Sequence, residues 1–147
     1  MKIYLAADHA GFKLKEEIKK YLLAKNYTVE DEGAFSLEKN DDYPIFIAKA
    51  AEKVGRQQDS LGIVFGKSGT GEEIVANKFK GIRAALGFSE ENVRLARQHN
   101  DANILSLGAE FENLENAKKL TDVFLNTPFS NEERHKRRIE EIKEIEN

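Results

Sequence analysis

Apolar residues fall along this chain in two rhythms. Short continuous runs at 3–7, 27–32, 61–65, 82–88 and 103–107 read as five strands buried on both faces. Between them, apolar residues recur every three or four positions, which predicts helices. The first covers 11–25 (Phe12, Leu14, Ile18, Tyr21, Leu22) and the second starts at Asp42-Tyr43-Pro44, with Pro44 suited to a first turn and Phe46, Ile47, Ala50, Ala51 and Val54 on its buried side. A third runs to about Lys78 with Ile74 and Val75 inward. A fourth runs from a Ser89 cap to about His99, and a fifth spans 113–126. The last starts at a Ser130/Glu133 capping box and ends near Ile145. Strands alternating with helices imply one α/β domain over 1–147, a three-layer α/β/α sandwich around a five-stranded parallel sheet.

In such sheets ligands bind outside the carboxyl ends of the strands. That rule gathers Asp8-His9, Asp42-Tyr43, the turn after the third strand and the segment after the fourth onto one edge. The turn is the richest of these, with Gly66, Gly69 and Gly71 in six residues, interleaved with Ser68 and Thr70 and opening into a helix. Free backbone N–H groups and the positive end of a helix make such a turn an anion cradle. It is not a P-loop, because Leu61 stands where the first glycine belongs. It is not a dinucleotide fingerprint, because Ile74 stands where a small residue belongs and the turn follows the third strand. The glycines alone also suit a tight strand–helix connection.

Composition narrows the chemistry. The 147 residues carry a net charge of −3 and 33% charged side chains, which implies no general affinity for nucleic acid or membranes. There is no cysteine, so a thiol nucleophile, a disulfide and a zinc–thiolate site are excluded. The three histidines, His9, His99 and His135, are too dispersed to suggest a metal site. The chain opens on strand-like residues and has no long apolar run, so a cytoplasmic protein is expected.

The remaining candidates each have two readings. Glu72, in the first turn after the cradle, is a general base or a favourable charge at a helix start; Glu73 points about 100° away and cannot share its direction. Asp8-His9 is a cap or a functional pair. His99-Asn100 ends its helix on the far side of the sheet, within reach of a site only in a second subunit. Arg134 and Arg138 share a helix face suited to phosphate, or to pairing with nearby glutamates.

Taken together, ADHAGFKLKEEI, DYP at 42–44, GxSGTGEEIVANK followed by GIRAAL, ARQHNDANIL at 96–105 and RHKRRI at 134–139 resemble ribose-5-phosphate isomerase type B across nearly the whole chain. The wider family includes galactose- and allose-6-phosphate isomerases. The resemblance implies a Rossmann-like fold and a homodimer, able to pair into a tetramer, with active sites shared between subunits and the helix at about 130–145 packed on the partner. It implies aldose–ketose isomerisation of D-ribose 5-phosphate and D-ribulose 5-phosphate with no metal and no cofactor. Many members carry a cysteine base where this chain has Gly66; a second branch has glycine there and a glutamate at the position of Glu72. The resemblance further assigns ring opening to His99 with Asp8, proton relay to Ser68, and enediolate binding to the N–H groups of Gly69, Thr70 and Gly71 with the Asn100 amide. It assigns phosphate and substrate binding to His9, Arg134, Arg138 and Tyr43. Two positions depart from the pattern: Lys67 replaces a glycine and Glu110 an arginine. A six-carbon sugar-phosphate isomerase and a non-catalytic sugar-phosphate-binding protein are the alternatives.

Overall fold

The computed structural model describes all residues, 1–147. The order is β1 (Lys2–Ala7), α1 (Phe12–Ala24), β2 (Thr28–Asp31), α2 (Tyr43–Arg56), β3 (Ser60–Gly66), α3 (Thr70–Ala76), β4 (Ala84–Leu86), α4 (Glu90–Asn100), β5 (Ile104–Gly108), α5 (Leu114–Asn126) and α6 (Glu133–Ile145). The five strands pair in parallel in the order β2-β1-β3-β5-β4. This is the expected three-layer α/β/α sandwich. The period of two along each strand sends alternate residues to opposite cores. Ile3, Leu5, Ile63, Phe65, Leu105 and Leu107 face α1, α4 and α5, which contribute Leu14, Ile18, Val93, Leu120 and Phe124. Tyr4, Ala6, Val64 and Ile104 face α2 and α3, which contribute Ile47, Ala50, Ala51, Val54 and Ala76. Truncating a fully buried ring such as Phe65 to alanine costs about 3–5 kcal/mol.

Strand order reverses between β1 and β3, and there the loops leaving the two strands diverge and open a crevice. A fully buried lysine fixes its third wall. Lys15 on α1 bonds both oxygens of Asp31 at 2.7 and 2.8 Å and the carbonyl of Ala34, holding the start of the long loop that leads to α2.

Three local expectations fail, each for a physical reason. Ile74 is 55% exposed, because on the two-turn helix α3 the inward positions are Glu72 and Ala76. The Ser130/Glu133 capping box does not form. Glu132 is the N-cap without a side-chain bond, while the Ser130 hydroxyl meets His135 Nδ1 at 2.8 Å. The fourth strand shrinks to three residues at the sheet edge. The Ser89 cap does form, as a reciprocal pair with Asn92.

Candidate active site

The cradle begins where β3 ends. Gly69 caps α3 with φ +84°, a conformation L side chains rarely adopt, and a Cβ there would also collide with Leu86. The Ser106 hydroxyl donates to the Gly69 carbonyl at 2.6 Å from β5, pinning the turn. Thr70 N–H donates to Ser68 Oγ at 3.2 Å, so this one of the three expected cradle donors is occupied by the turn itself. No backbone carbonyl accepts from the N–H groups of Gly69 and Gly71, and that of Gly69 faces the Glu72 carboxylate.

Gly66 explains the placement of Glu72. A Cβ built on Gly66 would overlap all three atoms of the Glu72 carboxyl group. The carboxylate therefore lies in the space a side chain at the end of β3 would fill. It is only 3% exposed. Burial pushes its pKa up, and the negative charge of Asp8 adds to this, while the N–H groups of Glu72 and Gly69 oppose it. A carboxylate so placed is a stronger base than one in water. Glu73 turns away, and its Oε1 accepts from Leu86 N–H.

Around Glu72 lies a cavity of about 360 Å³, lined by Asp8, His9, Ala10, Tyr43, Lys67, Ser68, Gly71 and Glu72. That volume suits a small-molecule ligand. Asp8 is 6% exposed and lines the cavity, and its Oδ1 accepts from the N–H groups of Ala10 and Gly11 in the turn leading into α1, whose N-cap Gly11 has no side-chain cap bond. The ring of Tyr43 packs where a Cβ on Gly71 would sit. Lys67 and Glu110, the two departures from the family pattern, stand beside each other. Their charges lie 4.0 Å apart and Glu110 N–H bonds the Lys67 carbonyl at 3.0 Å.

One residue that braces this wall escaped the sequence reading. Asp41 accepts from His9 twice, from the backbone N–H at 2.9 Å and from ring Nδ1 at 2.7 Å. With Asp8, these are the only three side chains clustered tightly enough to suggest a metal site, their donor atoms lying within 4.8 Å. His9 Nδ1 carries a proton toward Asp41, however, and offers no lone pair to a cation. The sequence signal was slight, a second aspartate beside Asp42 in a polar loop.

The other predicted residues are elsewhere. His99 and Asn100 end α4, which runs antiparallel to the strands and so finishes at the opposite edge of the sheet. The His99 ring stacks on His135 with centroids 4.4 Å apart. His135, on α6, is 3% exposed, and burial pushes its pKa down, with His99, Arg134 and Arg138 adding to this against Glu132. Arg134 bonds Glu132 at 2.9 Å, as the pairing alternative expects, but Arg138 makes no ion pair. The segment after β4 is at the expected edge but two strands away, where Phe88 is exposed.

Comparison with known proteins converges on one answer. The Ribose/Galactose Isomerase family matches residues 3–142. "Ribose-5-phosphate isomerase B" of Mycolicibacterium paratuberculosis is 44% identical over 99% of this chain and 92% of its own. The Escherichia coli protein of that name is 39% identical over 99% and 96%. Among solved structures, the Mycoplasma genitalium enzyme, with ribulose 5-phosphate bound, superposes with a TM-score of 0.95 at 41% identity, covering 99% of this chain and 95% of that one. The Thermotoga maritima enzyme gives 0.92 at 45%, covering 97% of each. The family match over residues 3–142, identities near 40% over almost the whole length and TM-scores above 0.9 leave a single assignment: this chain belongs to the ribose-5-phosphate isomerase B family.

Proposed function

We propose that this protein interconverts D-ribose 5-phosphate and D-ribulose 5-phosphate, with Glu72 as the base. The observation that carries this reading is the buried Glu72 carboxylate, seated against Gly66 at the floor of a cavity with free N–H donors beside it. The bound ribulose 5-phosphate of the Mycoplasma genitalium relative supports the choice of substrate.

The chemistry follows from that placement. With the sugar ring open, Glu72 takes the proton from C2 of the aldose. The C–H electron pair becomes the C1=C2 bond and the carbonyl electrons move onto O1, giving a cis-enediolate. Glu72 then returns the proton to C1 as O2 becomes the ketone oxygen. Ser68, exposed on the cavity wall, carries the hydroxyl proton from O2 to O1. The N–H groups of Gly69 and Gly71 stabilise the enediolate, and that of Thr70 joins them once Ser68 turns toward substrate. A positioned base contributes about 10²–10⁴-fold to the rate.

Two chains complete the site. His99 and Asn100 lie too far round the sheet to serve Glu72 of their own chain, so the homodimer brings them from the partner, with α6 and its Arg134 and Arg138. His99 then opens the ring with Asp8, Asn100 joins the enediolate donors, and the arginines hold the phosphate with His9, while Tyr43 flanks the sugar. Exposed apolar side chains on and near these helices, Ile74, Phe88, Leu95, Ile142 and Ile145, give the dimer a surface to bury.

The test is turnover by purified protein across five- and six-carbon aldose phosphates, compared by kcat/KM with and without EDTA. Ribose 5-phosphate should lead and EDTA should not abolish the activity. Glu72→Gln should lose exchange of the C2 hydrogen with solvent; full turnover by that variant would remove Glu72 from the mechanism.

A further inference from the structure

The Asp41–His9 contact assigns a function to a loop residue that neither the family motifs nor the reaction chemistry required. His9 stands in the cavity wall on the loop after β1, and its side chain is 37% exposed there. Asp41, from the long β2–α2 loop, is nearly buried, its side chain 11% exposed. Oxygen Oδ1 takes both protons His9 can offer on that side, backbone N–H and Nδ1–H, at 2.9 and 2.7 Å. Oxygen Oδ2 is buried without a hydrogen bond. A carboxylate held out of water by one partner does little for the fold by itself, since burying it opposes its attraction to that partner. What the contact does achieve is orientation. The backbone bond fixes the start of the residue and the ring bond fixes the side-chain torsion; with Nδ1–H given to Asp41, Nε2 becomes a second donor when the ring is protonated.

We propose that Asp41 is a positioning residue: by clamping the N–H and Nδ1 of His9 it holds that ring, as the imidazolium, with its Nε2–H turned into the cavity as a fixed donor to the substrate's phosphate. The proposal rests on the phosphate role given to His9 above. It adds the group that sets the direction of that histidine and its charge. The Asp41 hydrogen bond pushes the His9 pKa up; burial opposes this, and the charges of Asp8 and Asp41 add to the rise. The other titratable groups around the cavity are Tyr43, Lys67 and Glu72. With Asp41 present the imidazolium persists toward neutral pH, and a cation binds phosphate more tightly than a neutral ring.

The experiment compares wild type with Asp41→Asn, which keeps shape and removes the charge, and with His9→Gln. NMR titration of the histidine side chains in the ligand-free enzyme is read first; there are three, and His9→Gln identifies the signal. Asp41→Asn should lower the His9 midpoint and leave those of His99 and His135 in place. Kinetics come second. KM for ribose 5-phosphate in Asp41→Asn should rise about tenfold at pH 8, with kcat within about twofold, and the variant-to-wild-type ratio of KM should fall toward one as pH drops to 6 and the ring charges again. Taking the ratio cancels the ionisation of the phosphate itself. In a His9→Gln background the Asp41→Asn effect should vanish.

An unchanged His9 midpoint, or a KM ratio flat with pH, overturns the proposal. A lowered midpoint with no KM change in either His9→Gln or Asp41→Asn would instead remove His9 from phosphate binding. The clamp would then stand as a contact while the substrate reading of His9 fell.

Discussion

The two ends of this molecule, which the proposed function treats as complementary halves of one site, are built in contrasting ways. At the carboxyl edge of β1 and β3, Glu72 is a buried acid kept basic by burial, in a pocket formed from three segments of one chain. At the opposite edge, His99 stacks on a buried imidazole, His135, kept neutral by burial, beside exposed arginines on a helix that touches few neighbours. The first half holds a buried carboxylate and its cavity within one chain. The second has donors and cations, none of which lines the cavity around Glu72. A shared sheet separates them, so the proposed mechanism assigns proton abstraction and ring opening to different subunits and makes dimerisation a condition of activity.

The largest effects should come from breaking the first half. Glu72→Gln should lower kcat by about 10²–10⁴-fold. Gly66→Ala should lose a comparable factor without touching a reactive group, because its methyl enters the volume of the Glu72 carboxyl; near-normal kcat in that variant would mean the base is not held there.

The division itself is tested by mixing. Glu72→Gln and His99→Asn homodimers should each be nearly inactive. After subunit exchange, half the dimers are mixed and each carries one intact site, so about a quarter of wild-type activity should return. No recovery would place both residues in one chain's site. Within the second half, Arg138→Ala should raise KM about tenfold or more through lost charge-assisted bonds while sparing kcat. A larger effect on kcat than on KM would remove it from phosphate binding.

The smallest effects concern stability, and the two halves should respond to pH with opposite signs. The folded-state pKa of Glu72 is raised above the ordinary 4.5, so the folded protein binds its proton more tightly and that contribution is lost as pH rises through the raised value. Glu72→Gln should therefore melt higher than wild type at pH 7, with the gap closing near pH 4. The folded-state pKa of His135 is lowered from 6.5, so its contribution is present above 6.5 and lost as pH falls through the lowered value. His135→Gln should flatten the wild-type decline in Tm over that acid window. The same asymmetry sets the rate profile: the acid limb of kcat should lie above the ordinary glutamate range.

Much of this was legible before the structure. The strands and helices announced themselves because each is buried in its own period, and the cradle because three glycines crowd six residues. What escaped was what periodicity does not encode. Ile74 read as core because apolar residues are core on average, but α3 gives its inward positions to Glu72 and Ala76. Ser130 read as a cap because its spacing to Glu133 is right, but a buried imidazole claims its hydroxyl. Asp41 read as loop polarity because its partner lies 32 residues away. The contact between Lys67 and Glu110, read separately as two departures, is likewise visible only in space.

The shared volume of Gly66 and Glu72 reaches beyond catalysis to descent. A lineage that keeps its base on residue 72 gains nothing from a nucleophilic side chain at residue 66 until residue 72 shrinks, and shrinking residue 72 first removes the base. Each single step is harmful in the other's background, which is sign epistasis. Exchange of one base for the other must cross a fitness valley or take two substitutions at once, and the two chemistries should sort into separate clades with few mixed sequences between them.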